Sequence, residues 1–363
     1  MDNSKISNKL NLIIFTFISQ PSPFYDMIKE IVTISKNSNK IKILAVIDTC
    51  KCEEVFKVDL KLICLFRLFI ISLYKIYVFV FRKLSGKKSV KRKNIWLFLK
   101  RNKIPIIIPP RRNVNSPKLI RMLSFLKPDI FLVIGCNQIF SEELLKVPRI
   151  TSVNFHYSLL PKYGGRGATI WPLYFNEKFS GITFHHMDVK VDRGDIILQK
   201  QFPIDPRMDG ESLAAELIKL GVNSINELIE LLCTKIPHIP QKGHRSYFYS
   251  AQIKKFFVLD PKCSVKENLR RIKARGYLES NLLTNSFIKK FGSKYRKIWH
   301  TLPITGLKVV SVFNEKKIKI GKIKSISLKG IDIQVIDGIL RITHIAYIPT
   351  YLFIKIIKFL PFI

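Results

Sequence analysis

The chain has 363 residues, more than one hydrophobic core usually organises, so two domains are expected. Hydrophobic residues at 47% and charged residues at 24% exclude a disordered chain, and six cysteines without C-x-x-C spacing indicate neither a zinc ribbon nor a disulfide scaffold and favour a reducing, cytoplasmic setting. With 62 Lys and Arg against 26 Asp and Glu, the formal charge of +36 would draw polyanions: nucleic acid, a nucleotide or an anionic membrane face. The joint abundance of Lys, Ile, Asn and Phe is also what an AT-rich genome produces, so the position of the charge matters more than its sum.

The apolar run from Leu10 to Phe17 predicts a first strand and is too short for a signal peptide. A helix-spaced "MIKEIVTI" and a second strand, "IKILAVID", follow it and begin a Rossmann-like parallel α/β sheet. The first turn lacks G-x-G-x-x-G, which argues against a dinucleotide. Between the second strand and the next helix lies an insertion, about residues 52–94. It holds the apolar segment 60–81, interrupted by Lys61, Arg67 and Lys75, and the basic cluster "RKLSGKKSVKRK". Each central cation costs ~2.5–3.5 kcal/mol in a membrane-spanning helix, so a buried helix or a membrane-surface contact with snorkelling cations suits 60–81 better. "IWLFLKRNKIPIIIP" then predicts a helix and a strand, and "NSPKLIRMLSFLKPDIFLVIG" repeats the unit with Ser116 as N-cap and Pro117 in the first turn. "ITSVNFH" is a further strand ending in polar residues, where ligands bind in open α/β sheets. Beyond about residue 240 the pattern changes to a helix and then short, Gly-punctuated strands. This predicts a catalytic unit over 1–240 and a smaller basic, β-rich, barrel-like domain over 241–363.

Asn154 and His156 sit at alternate positions of a strand end and so point the same way. Together with a carboxylate from the later Asp-x-Gly-Asp turn, an amide donor and a protonatable imidazole suffice to stabilise an oxyanion and manage a proton. His185 and His186 are candidate metal ligands by residue type. As strand neighbours they face opposite ways, and the expectation is that no metal is bound.

The segment resembles the catalytic domain of the folate-dependent formyltransferases. The family's Asn-x-His, Ser-Leu-Leu-Pro and Asp-x-Gly blocks appear as Asn154–His156, Ser158–Pro161 and Asp192–Gly194, in order and correctly spaced. The resemblance implies formyl transfer from 10-formyltetrahydrofolate to a primary amine, with Asn154, His156 and Asp192 catalytic and Asp195 shaping the loop. It implies folate contacts at Gln138, Ile139 and Phe140 and at Asp188, Val189, Lys190 and Val191. It implies acceptor contacts at Ser158, Leu159, Leu160 and Pro161 and at Lys87, Lys88, Lys91 and Arg92 of the basic loop.

The basic loop and basic β-rich C-terminus match features of the methionyl-tRNA formyltransferases, so methionyl-tRNA is the first acceptor expected and tRNA the partner. Three departures point instead to an amino-sugar nucleotide or a similar small amine. The loop after Pro161 reads "KYGGRGATIW" rather than Arg-Gly-Ala-Ala-Pro, His185 stands where the tRNA enzymes carry an apolar or thioether side chain, and the apolar segment 60–81 has no counterpart there. A third reading is a non-catalytic polyanion-binding protein on the same fold, against which the intact Asn154, His156 and Asp192 argue.

Overall fold

The computed structural model describes residues 9–18, 22–50, 94–278, 304–312, 323–327, 330–345 and 348–349. The apolar segment 60–81 and the basic-loop residues Lys87, Lys88, Lys91 and Arg92 lie outside the described residues.

Strand β1 (Leu10–Thr16) is buried almost throughout. A strand covered on both faces must be apolar on both, which is why it shows no alternation. Helix α1 (Tyr25–Asn37) lays Met27, Ile28, Ile31 and Val32 on the sheet, and β2 (Ile41–Asp48) returns parallel to β1. Helix α2 (Ile95–Arg101) is capped by the Asn94 side chain and leads to the short β3 (Ile106–Ile107). Helix α3 (Pro117–Phe125) begins as its sequence predicts, with Ser116 Oγ accepting from the Leu119 amide and Pro117 in the first turn. The fully buried β4 (Ile130–Ile134), the short α4 (Glu142–Leu145) and β5 (Thr151–His156) complete this half.

Then come β6 (Gly164–Gly165), α5 (Trp171–Tyr174), β7 (Phe179–His186) and β8 (Ile196–Pro203). The main sheet runs β3-β2-β1-β4-β5-β7-β8. Five strands are parallel, as expected, whereas β7 and β8 are antiparallel to their neighbours. The link from β7 to β8 is a short turn with no helix, and a parallel pair needs a long crossover.

Helices α6 (Gly210–Asn223) and α7 (Ile225–Cys233) join α1 over one face of the sheet, while Leu119, Leu123 and Leu144 cover the other with Phe15, Phe131 and Phe140. The chain continues through β9 (Tyr247–Phe248), α8 (Ser250–Phe256) and α9 (Val265–Arg275), which ends at Gly276 in the left-handed conformation. A small antiparallel sheet follows: β10 (Ile304–Val312), β11 (Ile323–Ser327), β12 (Gly330–Val335), β13 (Gly338–Ile345) and β14 (Ile348–Pro349). Its order is β10-β13-β12-β11, with β14 on β13. This is the mixed α/β architecture with a separate β-rich C-terminal part that the element pattern predicts.

Cys50 is disulfide-bonded, a pairing that the cysteine spacing did not indicate. Among the described residues no helix is long and apolar enough to cross a membrane.

Candidate active site

The site grows from the carboxyl end of β5. Asn154 and His156 project from one side of that strand, and in the antiparallel β5–β7 pair Asn154 lies directly opposite His185 and His156 opposite Thr183. Directly opposed residues share a face and touch. Asn154 Nδ2 is accordingly 3.1 Å from His185 Nε2.

Asp192 closes the cluster from the β7–β8 turn. Its Oδ2 accepts from the Gly165 amide at 2.7 Å and lies 3.8 Å from His156 Nδ1, while its Oδ1 lies 3.6 Å from His185 Nε2. His156, Asp192 and His185 are all buried. Asp192 has φ 55, a left-handed conformation a non-glycine residue adopts only when its surroundings enforce it. Gln241 Nε2 supplies part of that enforcement by donating to the carbonyls of Asp192 and Gly194. Burial works to raise the Asp192 carboxyl. Attraction from His156, the neighbouring His185 and the Gly165 amide outweigh burial and hold the group well below the usual carboxylate range.

His156 Nε2 lies 3.0 Å from the Tyr163 carbonyl, which can only accept, so Nε2 carries a hydrogen and Nδ1 is the atom that faces Asp192. The loop that provides Tyr163 O and Gly165 N–H is held from the C-terminal side. Strand β6 pairs in parallel with β9, the Tyr163 amide donates to Ser246 Oγ, and the Arg166 amide donates to the Phe248 carbonyl. Gly165 takes φ 80 here, and a Cβ on it would stand 2.3 Å from Phe248 O. Trp171 stacks on Phe248 at 4.2 Å and meets Phe257 edge-on, so residues past 240 brace the site loop.

The remaining predicted residues fall into three groups. Ser158 Oγ donates to Lys162 O, Leu160 is buried, Leu159 packs near Gly181, and the Leu160–Pro161 bond is cis; these four shape the turn beyond β5. In the loop after β4, Gln138 donates to Thr49 O and Arg112 O and accepts from the Val114 amide, Phe140 is buried against Phe15, and Ile139 is 67% exposed. Before Asp192, Val189 is 53% exposed, Asp188 Oδ1 accepts the Val189 amide, Lys190 O accepts the Arg193 amide, and Val191 is half-buried.

Asp195 is set apart from the cluster. Its backbone carbonyl accepts the His186 amide and its carboxylate lies 3.8 Å from His238. His186 faces away from Asn154, with Nδ1 2.8 Å from Thr151 Oγ1, Nε2 3.0 Å from Pro237 O, and its ring stacked on His238. His185 is the member that sequence reading missed. The sequence offers it only as a metal-ligand candidate and as a departure from the tRNA enzymes, whereas in the structure it meets Asn154 and lies beside Asp192. Among the described residues no group of three His, Cys, Asp or Glu side chains is arranged to hold a metal ion.

Residues 82–229 match the family model described as formyl transferase. The chain is 37% identical over 144 residues to the bifunctional polymyxin resistance protein ArnA of Wigglesworthia glossinidia brevipalpis, a match covering 40% of this chain and 21% of that protein. It is 26% identical over 246 residues to the methionyl-tRNA formyltransferase of Clostridioides difficile, covering 67% of this chain and 74% of that enzyme. It is 35% identical over 129 residues to that of Geobacter metallireducens, of whose length it spans 41%. Among solved structures it resembles WlaRD, a sugar 3N-formyl transferase crystallised in the presence of dTDP and 5-N-formyl-THF, with TM-score 0.53, 18% identity and coverage of 92% of this chain and 96% of that one. It also resembles the N-formyltransferase of Helicobacter canadensis in complex with folinic acid and dTDP-3-aminofucose, with TM-score 0.52, 20% identity and coverage of 92% and 98%. At these identities the structural likeness is one of fold.

Proposed function

We propose that this chain transfers a formyl group from 10-formyltetrahydrofolate to a primary amine at Asn154, His156 and Asp192. The observation that carries the reading is the convergence of an amide donor, an imidazole and a buried carboxylate beside one strand end, within the segment that matches the formyl transferase model. In the proposed reaction the amine nitrogen bonds to the formyl carbon, and the carbonyl oxygen becomes an oxyanion. Asn154 donates to it, and a protonated His156, held beside Asp192, supplies positive charge. Collapse restores the C=O bond and breaks the carbon–nitrogen bond to the folate. The amine proton passes to the leaving nitrogen with Asp192 and His156 assisting. Such preorganised donors contribute ~2.7–4 kcal/mol each to lowering a barrier.

The exposed apolar side chains of Ile139 and Val189, on the two loops expected to meet the folate, suit the faces of an aromatic co-substrate. Gln138 and Phe140, bound into the fold, would position that loop rather than touch the ligand through their side chains.

For the acceptor we favour an amino-sugar nucleotide or a comparable small amine. His185 is packed inside the cluster, and the fold likeness over 92% of the chain runs to a sugar 3N-formyl transferase and to an N-formyltransferase in complex with dTDP-3-aminofucose. The second reading is methionyl-tRNA, supported by the charge of +36 and by relatives named for that activity. The purified protein, 10-formyltetrahydrofolate and either dTDP- and UDP-linked amino sugars or charged initiator tRNA, followed by folate absorbance, tests both. Turnover with an amino sugar alone supports the first, turnover with tRNA alone the second, and turnover with neither acceptor class removes the proposal.

A further inference from the structure

His185 lies deeper than any other member of the cluster, at 1% exposure, and the catalytic scheme above gives it no task. Its Nδ1 is 2.7 Å from the His186 carbonyl, which can only accept, so Nδ1 carries a hydrogen. In the neutral ring Nε2 is then a bare acceptor, and at 3.1 Å it faces Asn154 Nδ2, a donor. Asp192 Oδ1 lies farther from the same Nε2, at 3.6 Å; a charged His185 ring would attract it, whereas the neutral ring leaves Asp192 held by His156 and the Gly165 amide.

We propose that His185, in its Nδ1–H tautomer, is a positioning residue that fixes the Asn154 carboxamide with its NH2 group toward Nε2, so that the second N–H is presented to the reacting carbonyl. This rests on the formyl-transfer reading of the site. A carboxamide can turn over at little steric cost, and an inverted Asn154 would offer an oxygen to the oxyanion in place of a donor. The fold supplies three supports for the arrangement. The β5–β7 register sets Asn154 opposite His185. The β7–β8 register shifts between Phe184 and His185, skipping Ile197, and such bulges re-aim side chains. The His186 carbonyl that selects the tautomer lies against Gly194, where a Cβ would stand 1.9 Å from it. The glycine of the Asp-x-Gly block thus leaves room for the carbonyl that orients His185, which in turn orients Asn154.

The test uses the full chain with His185→Leu, which removes the acceptor, and His185→Gln, whose side-chain oxygen can replace it. The expected result is a fall in kcat of about a hundred-fold for His185→Leu, the scale of a misplaced catalytic group, with KM for the folate unchanged and most of the rate restored in His185→Gln. In a double-mutant cycle, His185→Leu should add no further loss to Asn154→Ala. A wild-type rate in His185→Leu, or independent multiplicative losses in the cycle, overturns the proposal. Long-range 1H–15N spectra of the histidine rings, with the His185 signal identified by its absence from His185→Leu, supply a readout independent of turnover. Protonated Nδ1 with bare Nε2 is expected, and an Nε2–H or doubly protonated ring overturns the proposal. A wild-type protein that transfers no formyl group refutes the function proposed above, while the ring spectrum still decides the tautomer.

Discussion

At the scale of single residues, the cluster places one carboxylate between two imidazoles, one of which also meets the Asn154 carboxamide. His156→Ala and Asp192→Asn should each lower formyl transfer by about two to three orders of magnitude with near-native circular dichroism; a near-normal rate in either would remove that residue from the mechanism. Asp192 also couples the site to pH. Its carboxyl is held below its ordinary value of 3.8, so its ionised form stabilises the fold above that pH, and the contribution is lost as the pH falls. The stability gap between wild type and Asp192→Asn, from urea titrations, should therefore shrink between neutral pH and pH of about 3; a gap constant over that window would contradict the ionic role. Asn154 and His156 were legible in the sequence because a strand's period of two places them on one face. His185 was not, because its contact with Asn154 depends on an antiparallel register that no local pattern encodes.

At the scale of elements, caps and periodicity were readable, and α3 begins where Ser116 and Pro117 place it. The antiparallel sense of β7 and β8 was harder to see, since the apolar content of a strand does not report its direction. The β6–β9 pair was invisible, because two-residue strands some eighty positions apart leave no periodic signal. The turn after β7 is where local backbone and function meet. Gly194→Ala would drive a Cβ into the His186 carbonyl, and neither group is a flexible side-chain tip that can move aside. We expect a loss of ~1–3 kcal/mol of stability, the usual cost of overpacking, together with reduced turnover, read by thermal unfolding and initial rates. An unchanged melting temperature would show that the turn accommodates the methyl group.

At the scale of the whole molecule, the sheet holds Asn154 and His156 at the carboxyl end of β5, while segments past residue 240 brace the neighbouring loops through Ser246, Phe248 and Gln241. The positive charge bears on the acceptor. With a nucleotide-linked amino sugar, which carries few phosphates, KM should rise only modestly as salt is increased, whereas a tRNA acceptor would give a steep rise. Initial rates across a salt series distinguish the two. The most direct test of the central claim is mass spectrometry of the acceptor after incubation with 10-formyltetrahydrofolate and wild-type protein or the Asn154→Ala variant. The account predicts a formylated amine with wild type and formation slowed by about two to three orders of magnitude in the variant. Equal formation by both proteins, or none by wild type with any amino-sugar nucleotide or charged tRNA, would contradict it.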